Sequence, residues 1–550
     1  MLRTLVPAAR RGEKLPAGSG RGSPGSAQRH EQYRALRFAD TLCRTLSENL
    51  APIDENLHQA MATRDRLSML LCAMVVAGVV ARIVQYLWRR SYWHDEGYLV
   101  LNVTSLTYRQ LVGPLPNAQS APPGFLVAQK SLFDAFGQSE YVLRLIPLAL
   151  GCAAVVLMAI LARRCLGIIG ALCTVAFFAL SDRLIFHSAE AKQYSGDVFF
   201  AIVLLLAATD GRKSELQRLL TASLVAAAAL WVSHPVIFVF GGIGLALLPS
   251  FLRRGGVRGF VTFATCCLPA VASFAALYAL SIRHQEVGGL YEYWSDRFPD
   301  WSRPWLLPVW LIKQLIGLCR YPYEIGGEVV FALACAGAWA LWQAGRRQLL
   351  GMVLALVGLT LLASFAGRYP FGGSRVTLFL APAMFLLAGR GIEWLWSRVA
   401  ETKWRGVGIA VPIILLGIGI GQVAYHLGVP RHRGHVRPAV EFVRAHRQGG
   451  EPVYVIGEPT PFRCYWRAPG LPLQTTAQDV PAIADERFWI VAAIGNERDE
   501  RKIESAKTGL SERINPPRRM TAYRGGAAYQ FVRTGRAPAT TKAGTGPTSD

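Results

Sequence analysis

LSMLLCAMVVAGVVARIVQYLW, residues 67–88, is a long, mostly apolar run of the length a helix needs to cross a bilayer, about twenty residues. Close behind it comes Trp93-His94-Asp95-Glu96-Gly97-Tyr98, with two adjacent carboxylates at the membrane boundary. Carboxylates are costly to desolvate there, so a pair kept in that position needs a reason. A second acidic spot, His187-Ser188-Ala189-Glu190-Ala191-Lys192-Gln193-Tyr194, lies at the edge of another apolar helix. Two such clusters on one membrane face point to a reaction centre at the level of the lipid headgroups.

Working outward, the same pattern repeats. The 550 residues are 52% hydrophobic, gathered in runs of about twenty rather than the alternating stretches of about ten that build a transmembrane β-barrel. The chain reads as a polytopic α-helical membrane protein with about eleven transmembrane helices. After the first, these fall near residues 141–162, 166–180 and 195–209, and then as a pair turning at His234-Pro235 whose second member ends at Arg253-Arg254. The rest are 260–282, a helix ending before Arg346-Arg347, one ending near Ala366, 376–396 and 406–427.

The formal net charge is +23. In a soluble protein this would suggest nucleic acid. Here Lys and Arg fall in the N-terminal tail, the short inter-helix loops and the C-terminal segment, where they mark topology, so no nucleic-acid partner is expected. Arg64 and Arg66 place the N-terminus in the cytoplasm, with most basic loops on the same side; Arg89 and Arg90 argue mildly the other way. The opposite, extracytoplasmic face then receives residues 89–140, 182–194, 283–325, 367–375 and everything after Gly428.

Four regions follow. Residues 1–66 are a cytoplasmic tail, rich at first in Gly, Ser, Pro and Arg and expected to be disordered there, without the apolar core of a signal peptide. Residues 67–428 form the membrane domain. Residues 429–533 form a small extracytoplasmic α/β domain, with a helix starting near Pro438 and buried strands at 452–457 and 488–493. Residues 534–550 are an Ala/Thr/Gly-rich tail, again expected to be disordered. Of ten cysteines none has zinc-ligand spacing, and only Cys464 lies well inside the C-terminal segment, which therefore has no internal disulfide.

In the first outer loop, residues 124–133 are apolar but too short to span, which suits a helix lying in the interface. The loop at 283–325 carries Tyr291, Tyr293, Trp294, Trp301, Trp305, Trp310, Tyr321 and Tyr323. It reads either as an interfacial aromatic belt or as a lid that contacts sugar or lipid.

If the outer loops converge, Asp95 or Glu96 can accept a proton from an acceptor hydroxyl or amine. Glu190 can orient the acceptor or hold a cation. Arg375, with Lys192 or Arg368, can hold a phosphate and stabilise its charge as it leaves. Gly372-Gly373 before Arg375 would let a ligand approach the backbone, and helix N-terminal amides there would favour an anion. The structural alternatives are that Asp95-Glu96 caps an interfacial helix, that Glu190 pairs with Lys192 or Arg183, and that His94 and His187 orient neighbours instead of binding metal.

Three of these motifs resemble the glycosyltransferase C superfamily, in particular bacterial relatives of protein O-mannosyltransferases and lipid A aminoarabinose transferases. They are the Asp95-Glu96 pair in the first outer loop, Ser188 to Tyr194 at a helix start, and Tyr369-Pro370-Phe371-Gly372-Gly373-Ser374-Arg375 followed by Leu378-Phe379-Leu380-Ala381-Pro382. The resemblance covers about residues 67–427. It implies inverting transfer from a polyprenyl-phosphate-linked sugar to a lipid, glycan or protein acceptor at a bacterial inner membrane. Asp95 is implied as base, with Glu96 and Glu190 beside it. His94, Lys192, Tyr194, Arg368 and Arg375 are the substrate-binding set. Lys192 stands where the family has Arg, which removes a bidentate phosphate ligand. No metal ligand set is expected, and a need for a divalent cation is left open. Two other classes compete: a transporter or flippase of a lipid-linked saccharide, and a non-catalytic envelope assembly scaffold. Charges at helix ends and the lack of an internal repeat count against the transporter.

Overall fold

A computed structural model of the protein describes residues 65–532, less 117–118, 286–291, 430, 432–434, 458, 467–472, 476–482, 484, 494–500, 502–518 and 524–525. The expectations for residues 1–64 and 533–550, and for Tyr291, lie outside the described residues. Contacts divide the chain into Met1–Arg66 and Leu67–Asp550, and the site falls within the second.

The first apolar run is helix α1 (Asp65–Leu87). Three short helices follow, α2 (His94–Ser105), α3 (Tyr108–Val112) and α4 (Pro123–Phe136). Pro123 opens α4, where a missing N–H costs nothing, and α4 covers the short apolar stretch of the first loop. Helix α5 (Glu140–Cys165) is capped by Ser139, whose side chain accepts from Tyr141 N. It carries Glu140 in its first turn and Arg163 and Arg164 in its last, charges that match the helix dipole. Helices α6 (Ile168–Ala179) and α7 (Asp182–Ser188) are bent by 52° at their break. Then come α8 (Tyr194–Ala208), α9 (Glu215–Ala229), α10 (Val236–Leu280), α11 (Leu307–Arg320), α12 (Gly327–Gln343) and α13 (Arg347–Phe365). A 3-10 turn at Arg375–Leu380 leads into α14 (Ala381–Val399), and α15 (Arg405–Gly428) completes the bundle.

Among the described residues six helices are long and apolar enough to cross a membrane, or seven if the bent pair counts as one span. The sequence reading expected about eleven. Part of the difference lies in α8, α9 and α12, which have 15, 15 and 17 residues. At a rise of about 1.5 Å per residue they are too short for a hydrocarbon core of about 30 Å. The rest lies in α10, where Gly256 takes φ +52°, a conformation open to glycine without strain. The rings of Phe251 and Phe263 lie 5.7 Å apart, where a straight helix would hold those positions about 18 Å apart. The chain therefore doubles back at Gly256, and one long helix is a hairpin of two.

The helices pack closely where side chains are small, as expected where lipid supplies no hydrophobic drive between helices. A Cβ on Gly337 of α12 would lie 1.8 Å from the Leu387 carbonyl oxygen, and one on Gly391 of α14 would lie 2.0 Å from that of Leu333.

After α15 comes a five-stranded sheet with two helices, α16 (Arg437–His446) and α17 (Thr460–Tyr465). Its strands are β1 (Val453–Ile456), β2 (Leu473–Thr475), β3 (Arg487–Ala493), β4 (Arg519–Tyr523) and β5 (Gly526–Val532), in the order β2-β1-β3-β5-β4. β1 runs parallel to β2 and β3, while β5 is antiparallel to β3 and β4. Alternation along β3 sends Phe488 and Ile490 into one apolar cluster and Trp489 and Val491 into another, which also takes Val436, Val440 and Val443.

This sheet region docks on the first outer loop. Tyr465 Oη accepts from Tyr92 N (2.8 Å) and donates to Glu140 Oε1 (2.9 Å). Arg437 Nη1 donates to the same oxygen at 2.6 Å, and Gln138 Nε2 to the Cys464 carbonyl at 2.8 Å. The sheet and α2 therefore share one end of the helix bundle.

Candidate functional site

Helix α2 begins at the acidic pair, with both carboxylates in its first turn, where the helix dipole favours them. Neighbouring helical positions diverge by about a quarter turn, so the two side chains part company. Asp95 pairs with Arg375, and each side chain keeps 11% exposure. His94 Nε2 lies 3.5 Å from Asp95 Oδ1 and is itself well exposed, at the rim. Three rings surround the Arg375 guanidinium: Trp93 at 5.2 Å, Tyr293 at 5.6 Å and Trp294 at 5.2 Å. Arg375 Nη2 also donates to Tyr293 Oη at 3.3 Å. Within the aromatic loop Tyr293 and Trp294 lie against Arg375, Tyr293 itself remaining exposed as Trp301 and Trp305 are.

Glu96 has a different setting. Arg144 grips it with two parallel bonds, Nε to Oε1 at 2.9 Å and Nη2 to Oε2 at 2.8 Å, and both side chains are buried. Ala191 N also donates to Glu96 Oε1 at 2.7 Å, and Arg144 Nη1 to the Arg90 carbonyl at 2.6 Å. With both oxygens committed, Glu96 ties the first loop to α5 and to the segment after α7. Of the two carboxylates, Asp95 is the one whose side chain stays partly accessible.

Glu190 is fully buried, and His187 is its close side-chain partner. His187 Nδ1 lies 2.6 Å from Glu190 Oε2, and His187 Nε2 lies 2.9 Å from Tyr321 Oη. Arg183 pairs with Glu324 at 3.2 Å. Lys192 Nζ donates to Gln119 Oε1 at 2.8 Å. Burial pushes the Lys192 ammonium below the ordinary lysine range, and Asp95 partly opposes this. Tyr194 is buried with its ring edge-on to His187 at 5.3 Å, and it lies within electrostatic reach of Asp95 and Arg375.

The structure therefore brings Asp95, Arg375, Lys192, Tyr194 and Glu190 into one neighbourhood, with His94 at its edge. Arg368 is not brought there; it is exposed and forms no ion pair among the described residues. The two glycines also serve another end. A Cβ on Gly372, at φ +109°, would fall 1.9 Å from Gln314 Oε1, and one on Gly373 would fall 2.6 Å from the Gly317 carbonyl. They let this segment pack closely on α11. Nor does a full α-helix open at Arg375, because the 3-10 turn comes first. Arg144 was missed by sequence reading. Its signal was a lone arginine in the second turn of an apolar helix, a costly place for an unpaired charge.

Among the described residues no group of three or more His, Cys, Asp or Glu is placed to hold a metal ion. No family model and no curated protein matches the chain. Similar solved structures include ArnT from Cupriavidus metallidurans bound to undecaprenyl phosphate, at 14% identity and TM-score 0.49, covering 86% of this chain and 99% of that one. The archaeal oligosaccharyltransferase AglB from Archaeoglobus fulgidus, in complex with an inhibitory peptide and a dolichol-phosphate, is 11% identical with TM-score 0.44, covering 86% of this chain and 75% of that one. Both are glycosyltransferase C superfamily members.

Proposed function

We propose that the chain is a membrane glycosyltransferase that moves a sugar from a polyprenyl-phosphate-linked donor to an envelope acceptor, with inversion, on the extracytoplasmic face. The observation that carries this reading is the Asp95–Arg375 pair, set in a ring of aromatic side chains at the end of the bundle and within electrostatic reach of Lys192. The motif resemblance supports it.

In this reading the acceptor hydroxyl or amine attacks the anomeric carbon from the side opposite the phosphate. The new bond to carbon forms as the carbon–phosphate-oxygen bond breaks. The acceptor proton passes to Asp95, and the electron pair leaves with the prenyl phosphate. Arg375 exchanges Asp95 for two phosphate oxygens, which its fork geometry suits, and Lys192 adds a point charge. Trp93, Tyr293 and Trp294 offer faces to the sugar ring and keep water from the anomeric carbon. Glu190, backed by His187 and Tyr321, fixes the acceptor side.

Asp95→Asn keeps the shape and removes the base. Transfer by the purified, folded variant should fall by about 100-fold or more, measured with a radiolabelled polyprenyl-phosphate sugar. Near wild-type transfer would remove Asp95 from the mechanism. A wild-type protein that neither transfers nor hydrolyses donor, yet moves it across vesicles, would favour a flippase.

A further inference from the structure

Helix α5 spans the bundle. Its first residue, Glu140, is held by Arg437 and Tyr465 on the Asp95 side, and its 26 residues carry Cys165 about 38 Å away. At that far end, where α5 stops and α12 turns into α13, lies a cavity of about 370 Å³ whose charged wall is Arg164, Arg346, Arg390 and Glu393.

Glu393 is already in use. Its Oε1 accepts from Gly170 N (3.2 Å) in the first turn of α6, and its Oε2 accepts from Arg390 Nη1 at 3.0 Å. A Cβ on Gly167 or Gly170 would come within 2.7 Å of Glu393, so glycine leaves this carboxylate its seat. The other two arginines are held by neutral groups. Arg164 Nη1 donates to the Leu206 carbonyl at 2.7 Å and Arg346 Nη1 to the Cys165 carbonyl at 2.6 Å, both near helix C-termini. Those bonds fix the side chains without cancelling their charge. Arg390 Nε is buried with no hydrogen-bond partner among the described residues. Among the described residues the cavity thus has cations in excess, with most guanidinium donors uncommitted, at the depth where membrane-spanning helices end and headgroups begin.

We infer that this cavity binds the phosphate of an anionic membrane lipid, at a site separate from the Asp95 centre. A phosphodiester offers two non-bridging oxygens, which planar guanidinium forks take better than a point charge does. The carbonyl bonds of Arg164 and Arg346 hold those forks in place before the lipid arrives, so little side-chain ordering remains to oppose binding.

The test uses the full chain in detergent with phosphatidylglycerol or phosphatidylcholine, read by native mass spectrometry. Phosphatidylglycerol should be retained about tenfold better than phosphatidylcholine, and an Arg346→Gln/Arg390→Gln variant should lose that advantage. Arg346→Lys/Arg390→Lys keeps the charge and should recover part of it. Arg253→Gln/Arg258→Gln, at the same end but outside the cavity, should leave retention unchanged. A glutamine variant that melts like wild type and holds phosphatidylglycerol equally well would overturn the site. An equal loss from the Arg253/Arg258 variant would overturn it too, showing diffuse charge only. Binding of inorganic phosphate alone, with neither lipid retained, would show a free-anion site instead.

Discussion

Asp95 meets its arginine in a cleft that keeps 11% of each side chain accessible and is lined with three rings, whereas Glu96, the next residue, meets its arginine at 1–2% exposure among backbone partners. The residue types match, and so does the helix turn. What differs is how far each pair is committed. Arg144 holds Glu96 through both oxygens, a backbone amide adds a third bond, and nothing is left to react. Arg375 holds Asp95 from across the chain and gives its own charge to aromatic faces that a substrate can displace. One pair is an anchor, and the other is, in the proposed mechanism, the charge pair that the donor phosphate opens.

The largest expected effect comes from breaking the anchor. Glu96→Gln leaves Arg144 buried without its counter-charge, and removing one partner of a buried pair costs about 3–5 kcal/mol. The variant should melt markedly earlier in detergent and express poorly. Glu96→Gln/Arg144→Met should recover part of that loss. If Glu96→Gln melts like wild type but loses transfer, the two carboxylates have exchanged the roles given to them here.

Arg375→Lys sharpens the other half of the comparison. The charge stays and the fork is lost, so turnover should fall by about tenfold with little change in melting temperature. Arg375→Ala should fall further and raise the donor concentration needed for half-maximal rate. If Arg375 only anchors its helix end at the headgroups, Arg375→Lys will match wild type in a donor titration.

The same comparison shows what the sequence made legible. The apolar runs located the helices because a bilayer demands long continuous hydrophobicity, which needs no partner to be read. They also placed the break between Arg253-Arg254 and residue 260, where Gly256 makes a hairpin, and gave α8 its short span, but not the short lengths of α9 and α12, which depend on where turns begin. Asp95, Glu190 and Arg375 were legible as local motifs. Their partners were not, since Asp95 and Arg375 lie 280 positions apart and Glu96 and Arg144 lie 48 apart. Adjacent acids in a string look equivalent, and only burial and partners separate an accessible carboxylate from an anchor. The paired glycines are ambiguous for a related reason. Close backbone approach is legible in glycine, but whether a ligand or a neighbouring helix approaches is not.

The smallest expected effect concerns Lys192, the cation between the two pairs. Burial disfavours its charged form, so its ammonium loses a proton at lower pH than an ordinary lysine, with Asp95 opposing the shift and Arg375 reinforcing it. If the charged form supports phosphate departure, turnover should be full below that lowered pKa. It should fall on the alkaline side before the ordinary lysine range is reached. Lys192→Arg supplies a cation that does not titrate there, so the alkaline limb should vanish, while turnover near neutrality stays within about threefold of wild type. Asp95→Glu keeps a carboxylate near Lys192 and should leave the limb in place at lower overall rate. An alkaline limb unchanged in Lys192→Arg would assign it to another group. Lys192 would then belong with Glu96 as a buried charge that holds the loops together.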